Sequence, residues 1–178
     1  MDFLETGFEG LYLIKVNQLR DERGVFARTF CKEEFKKIGF TKDFVQMNFS
    51  FNPKRGTFRG FHLQLAPHQE TKLIRCSEGK VVDIAIDLRP DSKTFLKSYS
   101  CELSKENRDM ILIPEGFAHG FITLEDNSEL AYCHTAYYNP KFESGVCYND
   151  KALNVSLPIE IQIISDKDLS YPSLNPNN

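Results

Sequence analysis

Residues 72–88, KLIRCSEGKVVDIAIDL, decide the fold class. Two runs rich in Val, Ile and Leu flank Gly79, a residue suited to a sharp change of chain direction, and both runs read as strands. The same pattern recurs on either side. Residues 10–16 (GLYLIKV) and 44–51 (FVQMNFSF) alternate apolar and polar side chains, as a half-buried strand does. Further strand-like runs cover 95–103, 109–114, 120–125 and 128–138, with turn-formers at Pro90, Asp91, Pro114, Gly116, Asp126 and Asn127. Many short strands at regular spacing predict an all-β sandwich or barrel. Only short helices interrupt it. Residues 31–40 (CKEEFKKIGF) form an amphipathic turn or two ending at Gly39, and 104–110 (SKENRDM) form one turn capped by Ser104. Residues 165–178 begin as a turn or short helix, and from 170 onward a loosely ordered tail is expected.

The 178 residues suit one domain spanning 1–178. The net charge of −3 argues against a broad nucleic-acid surface, while leaving room for a local basic pocket. No apolar run has the length of a membrane span. The N-terminal MDFLETGFEG lacks the basic start and apolar stretch of a signal peptide. Five cysteines, an odd number with no CxxC pair, argue against a disulfide framework and suit a reducing cytoplasm.

Two further stretches carry chemistry: 56–73, GTFRGFHLQLAPHQETKL, and 113–121, IPEGFAHGF. Together they resemble the two motifs of the cupin superfamily, with Gly56 and His62 at the spacing of the first and Pro114, Gly116 and His119 matching the second. A metal-binding cupin places a second histidine where this chain has Gln64, and Glu70 lies later than the usual acid. Glutamine is a poor ligand for first-row transition metals, so no metal and no other cofactor is expected. No GxGxxG follows a strand either.

A closer resemblance runs over nearly the whole chain. The segments DERGVFARTF, FVQMNFS, GTFRGFHLQ, TKLIRCSEGKVVDIAIDLRPDSKTF, LSKENRDMILIPEGFAHGF, AYCHTAYYNP, ESGVCYND and SDKD resemble, in order and spacing, the dTDP-4-dehydrorhamnose 3,5-epimerase family. The resemblance implies a cupin-type jelly-roll β-barrel with short peripheral helices. It also implies an isomerase that inverts C3 and/or C5 of a nucleotide-linked 4-keto-6-deoxy sugar.

That chemistry needs a base on one face of the sugar, an acid on the other and a stabiliser for the enolate oxygen. By resemblance the base is His62, oriented by Asp168. Tyr132 is the opposite-face acid, and Lys72 is the cation beside the ketone. Arg23, Arg59 and Lys167 would meet the diphosphate, Gln46 and Asn48 the pyrimidine edge, and Tyr138 the base. Glu143 falls on a substrate contact, and His119 is assigned to the pocket. The partner implied is a nucleotide-diphosphate sugar. A homodimer that exchanges the Arg23 region is implied as well.

The chain departs from the family pattern at three places. Arg28 stands where DxRGxFxE ends in Glu, which opens the identity of the nucleotide. Leu63 replaces the usual Tyr after the base, and Cys133 the usual Lys after Tyr132. Inversion at a single carbon, and a sugar carried by CDP, UDP or GDP, are alternatives. A metal-dependent cupin oxygenase and a non-catalytic sugar-binding cupin are the competing classes. His68 and His134 match no family site and are read as structural.

Overall fold

Every run with strand-like alternation forms a strand, and the strands assemble into two stacked antiparallel sheets. The structure is a computed structural model and describes residues 1–174. In chain order its elements are β1 (Asp2–Glu5), β2 (Tyr12–Lys15), β3 (Leu19–Asp21), β4 (Gly24–Phe26), α1 (Lys32–Phe35), a 3-10 turn (Lys36–Ile38), β5 (Gln46–Asn52), β6 (Phe58–Gln64) and β7 (Lys72–Glu78). There follow β8 (Lys80–Asp87), β9 (Ser98–Ser104), β10 (Met110–Ile113), β11 (Phe117–Thr123), β12 (Ser128–His134), β13 (Glu143–Gly145) and α2 (Asp166–Leu169). One sheet has the order β1-β2-β10-β7-β12-β5 and the other β13-β6-β11-β8-β9. This is a jelly-roll double sheet, and β3 and β4 form a separate hairpin.

Gly79 carries the chain from one sheet into the other. Its φ is +66°, and a Cβ there would stand 2.4 Å from Ser128 Oγ, so glycine is required on both counts. Leu11, Ile74, Cys76, Val81, Ala85, Leu103, Ile111, Phe121 and Leu130 fill the space between the sheets. Each sheet is also covered outside. Phe58, Phe61, Ile84, Ile86 and Ile122 pack under the C-terminal loops, and Ile14, Leu73, Met110 and Leu112 pack around Phe35 of α1. Burial on both faces explains why β10 and β11 are buried throughout, without polar alternation.

Two expectations need correction. Residues 105–107 form a turn rather than a helix, though Ser104, which ends β9, caps that turn as expected: its Oγ accepts from the Asn107 N–H at 3.1 Å and its C=O from the Arg108 N–H at 3.0 Å. The tail does not hang free from 170. Cys147 N–H donates to Pro172 C=O at 3.0 Å, the Leu174 N–H donates to Asp150, and the Tyr171 ring packs against Gly145. Apolar Tyr171 and Leu174 dock where a polar composition suggested none would. The rest of that expectation, 175–178, lies outside the described residues. Among the described residues no helix is long and apolar enough to cross a membrane.

Candidate active site

The site is built on an irregularity in β6. Phe121 pairs with Arg59 and His119 with His62, so three steps along β6 match two along β11. A regular strand would send residues 59 and 62 to opposite faces. The bulge aims both inward, a common use of bulges next to binding sites. Gly60 lies at the bulge because a Cβ there would stand 2.6 Å from Gly120 Cα.

Arg59 and His62 line a cavity of ≈ 290 Å³ between the two sheets, together with Asn48, Lys72, His119, Tyr132, Tyr138 and Glu143. His62 and His119 come from the five-stranded sheet, and Asn48, Lys72 and Tyr132 from the six-stranded one.

α2 brings Asp168 behind His62. Ser165 caps the helix by accepting from the Asp168 N–H. Asp168 Oδ1 lies 2.8 Å from His62 Nε2, and Oδ2 accepts from the Gly60 N–H at 3.1 Å. Burial alone would push this carboxyl up. The hydrogen bonds from His62 and Gly60 outweigh it and hold Asp168 below the ordinary carboxylate range. On the same wall His119 Nε2 faces Asp83 at 2.8 Å, and burial keeps its imidazole below the usual histidine pKa.

Lys72 is nearly buried and reaches the His62 C=O at 3.5 Å. Tyr132 lies edge-on to His119, with ring centroids 6.1 Å apart. Burial pushes its phenol well above the ordinary value, so Tyr132 holds its proton at neutral pH.

At the mouth, Tyr138 Oη donates to Glu143 Oε2 at 2.6 Å and Lys167 Nζ to Glu143 Oε1 at 2.5 Å. Gln46 Oε1 accepts from the Tyr138 N–H at 3.0 Å. Gln64 is occupied on the same loop, its Oε1 accepting from the Asn139 N–H at 2.7 Å.

Two predicted residues are not brought to this cavity. Arg23 sits in the β3–β4 turn, 85% exposed at its side chain and paired with Asp21 at 2.5 Å. Arg28 pairs with Glu34 at 2.9 Å, and Glu34 also takes the N-terminal ammonium. Each guanidinium is drawn to a carboxylate on its own stretch of chain. Of the other departures, Leu63 lines the cavity, while Cys133 packs on the outer face of its sheet.

Glu70, weighed in the sequence only as a late-lying metal acid, and His134, read there as structural, also line the cavity. For His134 the signal was available: it stands two residues from Tyr132 in β12, and strand residues two apart share a face. Glu70 precedes β7 and carries no such signal.

The family model described as dTDP-4-dehydrorhamnose 3,5-epimerase matches residues 5–176. The chain belongs to the dTDP-4-dehydrorhamnose 3,5-epimerase family. The Shigella flexneri dTDP-4-dehydrorhamnose 3,5-epimerase is 38% identical over 171 residues, covering 96% of this chain and 94% of that protein. Among solved structures, the Bacillus anthracis dTDP-4-dehydrorhamnose 3,5-epimerase, with TDP and PPi bound, superposes with a TM-score of 0.94 at 39% identity, covering 97% of this chain and 99% of that one. The Legionella pneumophila dTDP-6-deoxy-D-glucose-3,5-epimerase, in complex with dTDP-4-keto-L-rhamnose, gives a TM-score of 0.93 at 35% identity over 99% and 94%. The family match covers every strand from β2 onward and the residues that line the cavity.

Proposed function

We propose that this isomerase converts dTDP-4-keto-6-deoxyglucose to dTDP-4-keto-L-rhamnose by inverting C3 and C5, without a cofactor. The observation that carries the reading is that His62, backed by Asp168, and Tyr132 stand on different sheets around one cavity that Lys72 also lines. A C–H beside the C4 ketone is weakly acidic. His62 takes that proton, and the electron pair moves to the ketone oxygen to give an enolate. Lys72 stabilises the charge on that oxygen. Tyr132 then delivers its phenolic proton to the opposite face of the carbon, which inverts it. Solvent resets both groups before the second carbon reacts.

Arg59, Lys167 and Tyr138 surround the mouth, where the diphosphate and base of the substrate would lie. Gln46, Asn48 and Glu143 are placed to meet its polar edges, and His119 closes the inner wall.

A homodimer completes the site in this reading. β5 is a sheet edge, and Met47, Phe49 and Phe51 are exposed on it, Met47 at 74%. Leu19, Val25 and Phe26 are exposed on the β3–β4 hairpin, Phe26 at 72%. Apolar surface of this kind on an edge strand favours pairing with another chain. The hairpin of one protomer would carry Arg23 to the diphosphate of its partner. Five free thiols suit a cytoplasmic enzyme. Deuterium incorporation from D₂O at C3 and C5 tests the reaction, and light scattering at twice the chain mass tests the dimer.

A further inference from the structure

Glu70, Lys72 and His134 form a nearly buried charged cluster on the cavity wall, with side-chain exposures of 9, 11 and 10%. Charged groups are costly to bury unless each finds a partner. Here one carboxylate serves two. Glu70 Oε1 lies 3.4 Å from Lys72 Nζ, and Oε2 lies 2.8 Å from His134 Nδ1. An ionised carboxylate only accepts, so Nδ1 carries a proton. The other ring nitrogen, Nε2, meets Asn48 Nδ2 at 3.2 Å. The amide donates there and Nε2 accepts, so both nitrogens of the His134 ring are occupied. Its ring lies nearly parallel to that of Tyr132, 19° between planes and 6.0 Å between centroids. The hydrogen bond from His134 and the charge of Lys72 outweigh burial and keep the Glu70 carboxyl below its usual pKa.

We propose that Glu70 and His134 are positioning residues for the epimerisation. Glu70 holds the Lys72 ammonium at the place where the enolate oxygen forms. His134, fixed by Glu70 and Asn48, forms the flat wall against which the Tyr132 phenol is held for proton delivery. The inference rests on the roles given above to Lys72 and Tyr132. It adds that these two groups, on opposite sides of one carboxylate–imidazole pair, are aligned by a single structure. Neither Glu70 nor His134 has a free donor for the substrate, which is why they act through their neighbours.

The test combines kinetics with a double-mutant cycle, because a merely structural role would not produce coupling specific to Lys72. Glu70→Gln, nearly the same size, should lower kcat about tenfold with KM changed less than twofold. Glu70→Asp, which keeps the charge, should recover part of that loss. In a Lys72→Met background, Glu70→Gln should cost nothing further. For His134, the readout is the ratio of net inversion to deuterium wash-in. His134→Phe keeps a flat ring on Tyr132 and should preserve the ratio, whereas His134→Ala should lower it about fivefold. Full multiplication of the Glu70 and Lys72 effects would overturn the anchoring role. Equal ratios in the Phe and Ala variants would overturn the His134 wall. If Lys72→Met leaves kcat unchanged, the reading of the site itself falls, and the positioning inference falls with it.

Discussion

His62 Nε2 lies 2.8 Å from Asp168 Oδ1, joining β6 to α2 across 106 residues of chain. The second carboxylate oxygen takes the Gly60 N–H, so Asp168 is fixed at both ends. A carboxylate accepts only, which puts the imidazole proton on Nε2 and leaves Nδ1 with its lone pair. Nδ1 is therefore the nitrogen able to take a proton from substrate. Asp168→Asn removes the charge that stabilises the resulting imidazolium. Steady-state assay should show kcat lowered about 100-fold with dTDP binding retained. A kcat within a factor of three of wild type would contradict the pairing's role.

The same pair makes a statement about stability and pH. Asp168 has a folded pKa below its ordinary value, so its contribution is present above about pH 4 and is lost as pH falls through the lowered value. Denaturant titrations of wild type and Asp168→Asn should show a stability gap that does not shrink between pH 7 and about pH 4, and that closes below it. A gap closing already between pH 7 and 5 would contradict the lowered carboxyl.

Tyr132→Phe removes the phenolic proton and keeps the ring between His119 and His134. Net inversion should fall at least tenfold more than deuterium wash-in, because His62 still removes and returns a proton on its own face. Parallel loss of the two activities would assign Tyr132 to holding the sugar instead.

Gly60→Ala tests the bulge. The added Cβ would meet Gly120 Cα at 2.6 Å, backbone against backbone, and Gly60 has φ +147°, which side chains rarely adopt. The variant should lose about 1–3 kcal/mol of stability and most of its turnover, because the bulge both aims His62 and supplies the N–H to Asp168. Melting unchanged from wild type would show that β6 relaxes freely there.

The fold was legible because strand alternation is local, and runs such as 10–16 and 44–51 display it without reference to the rest of the chain. The His62–Asp168 pairing was legible only through resemblance, since nothing local links β6 to a helix over a hundred residues later. His134 was read as structural and Glu70 only as a late-lying metal acid, because only the packing of β5, β12 and the segment leading into β7 brings Asn48, Glu70 and Tyr132 around the His134 ring. The path of the tail past 170 was hidden for the same reason: Tyr171 and Leu174 dock on surface created by distant segments.

Arg28 suggested an altered nucleotide preference. Within one chain it pairs with Glu34 at 2.9 Å, which occupies the guanidinium. With the guanidinium held by that carboxylate, binding of dTDP, UDP, CDP and GDP to wild type and Arg28→Glu should give the same ranking. A tenfold change in relative affinity, about 1.4 kcal/mol, would return Arg28 to the nucleotide site.

The central claim is that His62 removes protons beside the ketone for inversion at two carbons. Incubation with dTDP-4-keto-6-deoxyglucose in D₂O, followed by NMR at C3 and C5, measures it directly. The account predicts deuterium at both carbons with wild-type protein, and at neither with His62→Ala while dTDP still binds. Exchange surviving in His62→Ala, or wild-type exchange confined to one carbon, would contradict it.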